Sequence, residues 1–466
     1  MKLPTPSLIR LLALAVLGLS LPAAIRAQTF TDLVNIQSAT GANPSSALIQ
    51  GLDGNLYGTA VNDGRYDGGS AFRLNQENRM TAFYSFCQVG NCTPAGYYPY
   101  AGLVQSSNGT FYGTTFEGGA NDLGTIFKLA PNGTLTTLHS FNGTDGTNPH
   151  AALLLASDGN FYGSTQTGGT SNFGTIFKIT PAGIFTSLHS FTGTDGQSPL
   201  GPIAQAANGF LYGTTEIGGS FGSGTVFKIS PAGTFAIVHN FEGTEGSISF
   251  SGLVLGTDGN FYGTTEGGGA NDYGTVFKVT PAGTLTTLHA FNFSDGAYPE
   301  AGLIQANDGD FYGITTWGGS GGTCEQGCGT IFEITSTGTL TTLHDFVGTD
   351  GSEPLGALVQ STTGTFYGTT WYGGDNFGTI FSLNTGLSAF VKPQPAFGKA
   401  GNTIVLLGNN LTGTTSVTFN GTSATFTVVS GTEIRATVPA GATSGMVQVT
   451  TPSATLGSNP IFRVTP

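Results

Sequence analysis

Charge is scarce in this chain. Only 9% of its 466 residues are Asp, Glu, Lys or Arg, and 14 basic residues face 27 acidic ones, for a net charge of −13. A surface of that sign repels nucleic-acid phosphates and anionic lipid headgroups, so no nucleic-acid partner is expected. No apolar stretch reaches the ~18 residues that a spanning helix requires, so no membrane span is expected either. Tryptophan occurs twice, methionine three times and cysteine four times. The chain lacks a Ser-His-Asp order, a phosphate-binding loop and a His pair at metal-ligand spacing, which leaves no catalytic residue and no metal ligand to nominate.

The N-terminus reads as an address. Lys2 and Arg10 lead into Leu11–Leu21, an apolar run of 11 residues, and small residues lie near a cut after Ala27. This is the pattern of a secretory signal peptide over residues 1–27. No Cys follows the apolar run, so no lipid anchor is expected there. The mature chain would begin at Gln28 and carry 11 basic against 27 acidic residues, a net of −16. In an exported protein the close pairs Cys87/Cys92 and Cys324/Cys328 read as two local disulfides. A metal site with two thiolates from each pair is the alternative, and an oxidising compartment disfavours it. The localisation expected is secreted, periplasmic or at the cell surface.

Glycine is abundant, 75 residues, and it punctuates a repeat. One phrase occurs seven times, beginning at Asp53, Asn108, Asp158, Asn208, Asp258, Asp308 and Thr363, with starts 50 or 55 residues apart. Its form is Asp-Gly-Asn-Phe-Tyr-Gly with small variations. A fixed period of this length marks a propeller or a solenoid. Within Ala101–Asn148, short apolar and β-branched blocks alternate with Gly-, Asn- and Pro-containing turns, giving four antiparallel strands, a to d. The seventh repeat stops at Asn384-Thr-Gly386 without a strand d, and Thr29–Ile36 has the strand d pattern. The expected fold is therefore all-β: a seven-bladed β-propeller over 28–387, closed by its N-terminal strand, which leaves no exposed edge. The tail, 388–466, alternates short strands with Gly turns and reads as a β-sandwich. It carries Lys392, Lys399, Arg435 and Arg463 against Glu433 alone, a net of +3, so the repeat region is −19.

The phrase DGNFYGTT…GG…GTIFKITPAGTLTTLHSF resembles the GloVer repeat of exported bacterial proteins, and the likeness covers residues 29 to 386. It implies a repeat fold and export rather than an activity. The tail, through Val391-Lys-Pro-Gln-Pro-Ala-Phe-Gly398 and Gly445-Met-Val-Gln-Val449, resembles an IPT/TIG immunoglobulin-like domain, which implies a spacer or contact module.

Antiparallel order places the short a–b and c–d turns on one face and the longer b–c and d–a loops on the other. Function in a β scaffold sits on its variable loops. Both cysteine insertions fall on that loop face, as do the aromatics Trp317, Trp371, Tyr372, Tyr97, Tyr98 and Tyr100. Flat aromatic faces suit sugar rings and interfaces, so these six are the candidate ligand-binding residues. Asp145, Asp195, Glu245, Asp295 and Asp350 recur before a Gly in the d–a loop. Calcium is chemically compatible with them, but no calcium-loop spacing supports it, and an Asp-Gly turn accounts for the pattern. Glu117, Glu216 and Glu266 start b–c loops, and acid–base hydrolysis would need two such groups ~5–10 Å apart. His139, His189, His239, His289 and His344 are one strand d position copied five times, which suits packing or hydrogen bonding. The expected function is a secreted or cell-surface binding or scaffold protein, monomeric, without a cofactor, whose ligand is a neutral polysaccharide or a surface protein. A propeller carbohydrate-active enzyme, hydrolase or lyase, and a structural surface-layer component are the alternatives.

Overall fold

The computed structural model describes residues 28–87 and 95–465. The expected signal peptide and Cys92 lie outside them. The described chain is all-β apart from one 3-10 turn at Ser38–Thr40. No helix is long and apolar enough to cross a membrane.

Each repeat forms a four-stranded antiparallel sheet in the order a-b-c-d. In repeat 2 the strands are Val104–Gln105, Phe111–Thr115, Thr125–Leu129 and Leu135–Ser140. Strand a is only two residues long in every repeat. The c–d pairing carries the same register shift in repeats 1 to 6, for example between Ile126 and Phe127. The sheet of repeat 7 contains Val359–Gln360, Phe366–Thr370 and Thr379–Asn384, and its fourth strand is Thr29–Asn35 from the N-terminus. Phe30 pairs with Leu383 and Asn35 with Thr379. Ile36 and Leu48 share one buried cluster with Val359 and Ile380, so the last sheet packs back on the first.

The repeated phrase is the fastener between sheets. Its Tyr stacks on the Phe of the next phrase: Tyr112 on Phe161 at 4.1 Å, Tyr212 on Phe261 at 4.2 Å, Tyr262 on Phe311 at 3.9 Å. The Asp that opens the phrase accepts the Tyr hydroxyl, as in Tyr162 to Asp158 at 2.7 Å and Tyr262 to Asp258 at 2.8 Å. The closing Gly makes room: a Cβ on Gly163 would lie 2.6 Å from the Phe177 ring of strand c. A second fastener is a glutamine at the end of strand a. Gln105, Gln205, Gln305, Gln360 and Gln50 each accept the amide of the preceding repeat's a–b turn, and the last of these, from Thr362 at 3.0 Å, joins repeat 7 to repeat 1.

The tail forms two further four-stranded sheets. One is ordered Lys392–Gln394, Thr403–Leu407, Glu433–Thr437, Phe426–Val428; the other Thr422–Ser423, Ser416–Phe419, Val447–Thr450, Thr455–Gly457. They enclose a single core with Leu406, Phe419, Ile434, Val449 and Phe462. Its loops reach the turn face of the repeat sheets. Gln394, Arg463 and Asn459 donate to the main-chain carbonyls of Gln105 (3.2 Å), Gln205 (3.2 Å) and Gln305 (3.1 Å), at the ends of strand a in repeats 2, 4 and 6. The tail therefore lies against the turn face of the repeat sheets.

Candidate functional site at the loop face

The loop face is built on one backbone device used seven times. Asn43, Tyr98, Asn148, Ser198, Ile248, Tyr298 and Glu353 all hold φ between 52° and 59°. The carbonyl of each accepts an amide from the residue that follows strand b, at distances from 2.8 Å (Glu266 to Ile248) to 3.3 Å (Val61 to Asn43). A left-handed residue there turns the chain so that the side chain two positions on lies beside strand a. Those side chains are Ser45, Tyr100, His150, Leu200, Phe250, Glu300 and Leu355. The residues following strand b are Val61, Phe116, Gln166, Glu216, Glu266, Thr316 and Trp371. The backbone is the same in every repeat while the side chains change, with only Leu200/Leu355 and Glu216/Glu266 repeated.

Two chemical sectors result. In repeats 2 and 3, Tyr100 stacks on His150 at 5.1 Å and meets Phe116 edge-on at 5.2 Å. Burial pushes His150 down to about 4, so its imidazole is neutral at pH 7. In repeats 4 to 7, four carboxyls act on one another. Glu300 is pushed up to about 7, by burial first, then by the charge of Glu266, with the Thr316 hydroxyl opposing and Glu353 adding to the rise. Burial also raises Glu266, assisted by Glu216, and it raises Glu216 and Glu353. Trp371 sits at the position equivalent to Glu266 and Thr316 and donates its amide to Glu353 at 3.0 Å.

The expected binding aromatics do not form one platform. Trp371 and Tyr372 meet edge-on at 6.3 Å in repeat 7. Tyr97 and Tyr98 meet at 4.8 Å beside repeat 2, and Tyr97 donates its hydroxyl to Asp122 at 2.9 Å. Trp317 is one residue further along its loop than Trp371 and pairs through its backbone with Ala297. Since consecutive residues of extended chain point opposite ways, the two tryptophans are not equivalent. Tyr100 is the aromatic of the six that contacts the His150 sector. Glu300, Glu353 and His150 were missed by sequence reasoning. The signal for His150 and Glu300 lies in the column directly after a recurrent Pro, which holds a different residue in almost every repeat, and Glu353 stands directly before that Pro.

The copied residues have local roles. His139, His189, His289 and His344 each bond the Asp six residues later, at 2.9–3.0 Å, and His239 bonds Glu245. Each acid is thereby engaged within its own loop. Cys324 and Cys328 form a disulfide, and Cys328 is fully buried. Cys87 is disulfide-bonded as well. Among the described residues, Asp308, Asp310 and Glu333 bring carboxylate oxygens within 4.8 Å of one another. Repeats 3 and 5 have Asn160 and Asn260 in place of Asp310, and Lys178 and Lys278 in place of Glu333.

A family model described as the Gloeobacter/Verrucomicrobia repeat matches residues 90–257 and 233–429. No curated protein matches the chain. Among solved structures, a fungal alcohol oxidase of the AA5 family in complex with copper is similar over 95% of this chain and 100% of its own, with 12% identity and a TM-score of 0.53. A gluconolactonase from Xanthomonas campestris aligns over 77% of this chain and 91% of its own, at 10% identity and a TM-score of 0.43. An auxiliary nutrient binding protein from Bacteroides ovatus aligns over 77% of both chains at 12% identity and a TM-score of 0.42. At these identities the likeness concerns the fold alone.

Proposed function

Because the chain belongs to the Gloeobacter/Verrucomicrobia repeat family, we propose that it is an exported bacterial binding protein. In this reading residues 28–387 form a seven-bladed β-propeller closed by the N-terminal strand, and 388–466 form an immunoglobulin-like domain of the IPT/TIG kind. The ligand is a neutral polysaccharide, taken at the loop face.

One observation carries the reading. Seven copies of one backbone device present six different side chains at each of two positions, and these supply aromatic faces (Tyr100, Phe116, Phe250, Trp371) together with carboxyls (Glu216, Glu266, Glu300), to which the left-handed Glu353 adds a fourth. Aromatic faces suit the C–H faces of sugar rings. An ionised carboxylate accepts hydroxyl hydrogen bonds, and a protonated Glu300 donates one. A repeat that served only as scaffold would have little reason to vary the side chains on a backbone it keeps constant. The test is calorimetric titration with neutral xylo-, manno- and gluco-oligosaccharides, using the parent chain and the variants Trp371→Ala, Trp317→Ala and Glu300→Gln. Binding that weakens at least tenfold in Trp371→Ala or Glu300→Gln supports the site. Unchanged affinity in both, or no binding by any sugar, overturns it.

A hydrolase is the second reading, favoured by one feature: Glu300 is raised to about 7, so it stays partly protonated near neutral pH, and Glu266 lies close enough to contribute to the rise. New reducing ends in the same titrations, abolished in Glu300→Gln, would establish it over simple binding.

A further inference from the structure

A cavity of ≈ 1720 Å³ lies between the repeat sheets and the C-terminal pair of sheets. It is separate from the loop-face site, and none of its walls comes from the columns described there. Its wall on the repeat side is strand a. The half-buried side chains Ile49, Val104, Leu154, Val254 and Ile304, one per repeat, line it as an aliphatic sleeve. The other wall is cationic. Lys392, Lys399 and Arg463 all line the cavity, three of the four basic residues in the C-terminal part of a chain that is acidic overall.

The state of Lys392 is what needs explaining. Burial alone holds its ammonium below the ordinary lysine range, and no carboxylate acts on it. Arg463 is likewise lowered by burial, and its Nη1 spends one donor on the Gln205 carbonyl at 3.2 Å. The one carboxylate on the cavity wall, Asp158, already accepts from Asn160 and Tyr162, at 2.8 and 2.7 Å. Both cations are half-buried on the cavity wall, and Lys392 has no carboxylate partner, so an anion entering the cavity would stabilise its charged form. An anion that also covers an aliphatic sleeve has an apolar body.

We propose that this cavity binds an aliphatic carboxylate, its chain along the strand a sleeve and its head between Lys392 and Arg463.

The test is calorimetric titration at pH 8 with decanoate and, as the uncharged isostere, decan-1-ol. Decanoate is expected to bind at one per chain and at least tenfold more tightly than the alcohol. Lys392→Met is expected to bring decanoate down to the alcohol's affinity, and Lys392→Arg to restore most of it. Circular dichroism and the melting temperature check that each variant is folded. Arg463→Gln serves as the second variant, and at least a threefold loss is expected for it. Equal affinity for acid and alcohol, decanoate affinity unchanged in Lys392→Met, or no decanoate binding at millimolar concentration overturns the proposal. Tighter binding of glucuronate than of decanoate also overturns it, because the sleeve would then have no part in recognition.

Discussion

Replacing Phe30 by Ala tests whether the N-terminal strand is a full member of the last sheet. Phe30 stacks on His344 at 3.7 Å with the planes 5° apart, meets Phe346 edge-on at 5.7 Å and lies 5.4 Å from Phe381. Phe185 in repeat 3 has the same surroundings, with His139 at 4.0 Å, Phe141 at 5.8 Å and Phe177 at 5.4 Å. Both are half-buried. Truncating a fully buried Phe costs about 3–5 kcal/mol. Half that, with ~0.5–1 kcal/mol for the stack, gives about 2–3 kcal/mol. Urea unfolding of Phe30→Ala and Phe185→Ala should show equal losses of that size. If Phe30→Ala lies within about 0.5 kcal/mol of the parent while Phe185→Ala loses ~2 kcal/mol or more, the N-terminal strand is merely laid on the edge and the closure argument fails.

Stability against pH should separate Glu300 from His150. Glu300 is raised to about 7, so its contribution is complete below the unfolded value near 4.5 and is lost as pH rises to 7. Glu300→Gln should therefore be the more stable protein at pH 8, by on the order of 2 kcal/mol, and a flat difference from pH 4 to 8 would refute this. His150 is lowered to about 4, so its contribution is lost as pH falls from 6.5 to 4, and His150→Gln should remove that loss in the same denaturation series. Ile248 holds φ 59°, a region where a β-branched residue is strained, and Ile248→Asn should gain about 1 kcal/mol in urea unfolding. A Cβ on Gly356 would press into the Ser46 carbonyl across the repeat 7–repeat 1 junction, so Gly356→Ala should lose about 1–3 kcal/mol in the same assay, whereas Gly302→Ala, whose Cβ would meet nothing nearer than 3.6 Å, should lose less than ~1 kcal/mol.

Much of the fold was legible because its fasteners are spelled in residues. Tyr, Phe and Gly of the repeated phrase recur because each sheet must grip the next in the same way, so seven sheets could be counted by eye. The closing strand was legible because Phe30 repeats Phe185 in an apolar and β-branched strand d pattern, although Val34 stands where strand d has His189. The site was less legible. His150 and Glu300 are single letters in a column that otherwise looks like noise, and only the shared left-handed turn makes that column a set of neighbours. Trp317 and Trp371 both stand at the start of a b–c loop, but Trp317 lies nine residues after the start of its phrase and Trp371 eight, and that one residue separates them. The seat of the C-terminal part left no mark in the sequence. It rests on side chains such as Asn459 and Arg463 reaching main-chain carbonyls, and a carbonyl is present whatever the residue.

The strand Thr29–Asn35 is the first described strand to leave the ribosome, and its partner Thr379–Asn384 is finished some 350 residues later. Repeats 1 to 6 close through neighbours ~10–20 residues apart and can form as they emerge. The last sheet depends on a contact spanning nearly the whole repeat region, whose loop-closure entropy grows only slowly with length but whose formation is late by construction. Until it forms, the strand c edge of repeat 7 and the faces flanking Phe30 are exposed, an adhesive edge on an otherwise finished molecule. A nascent or truncated chain would therefore be prone to pair its open seam with that of a second copy, and each copy's own first strand, held nearby by covalent linkage, is the competitor that keeps the molecules apart.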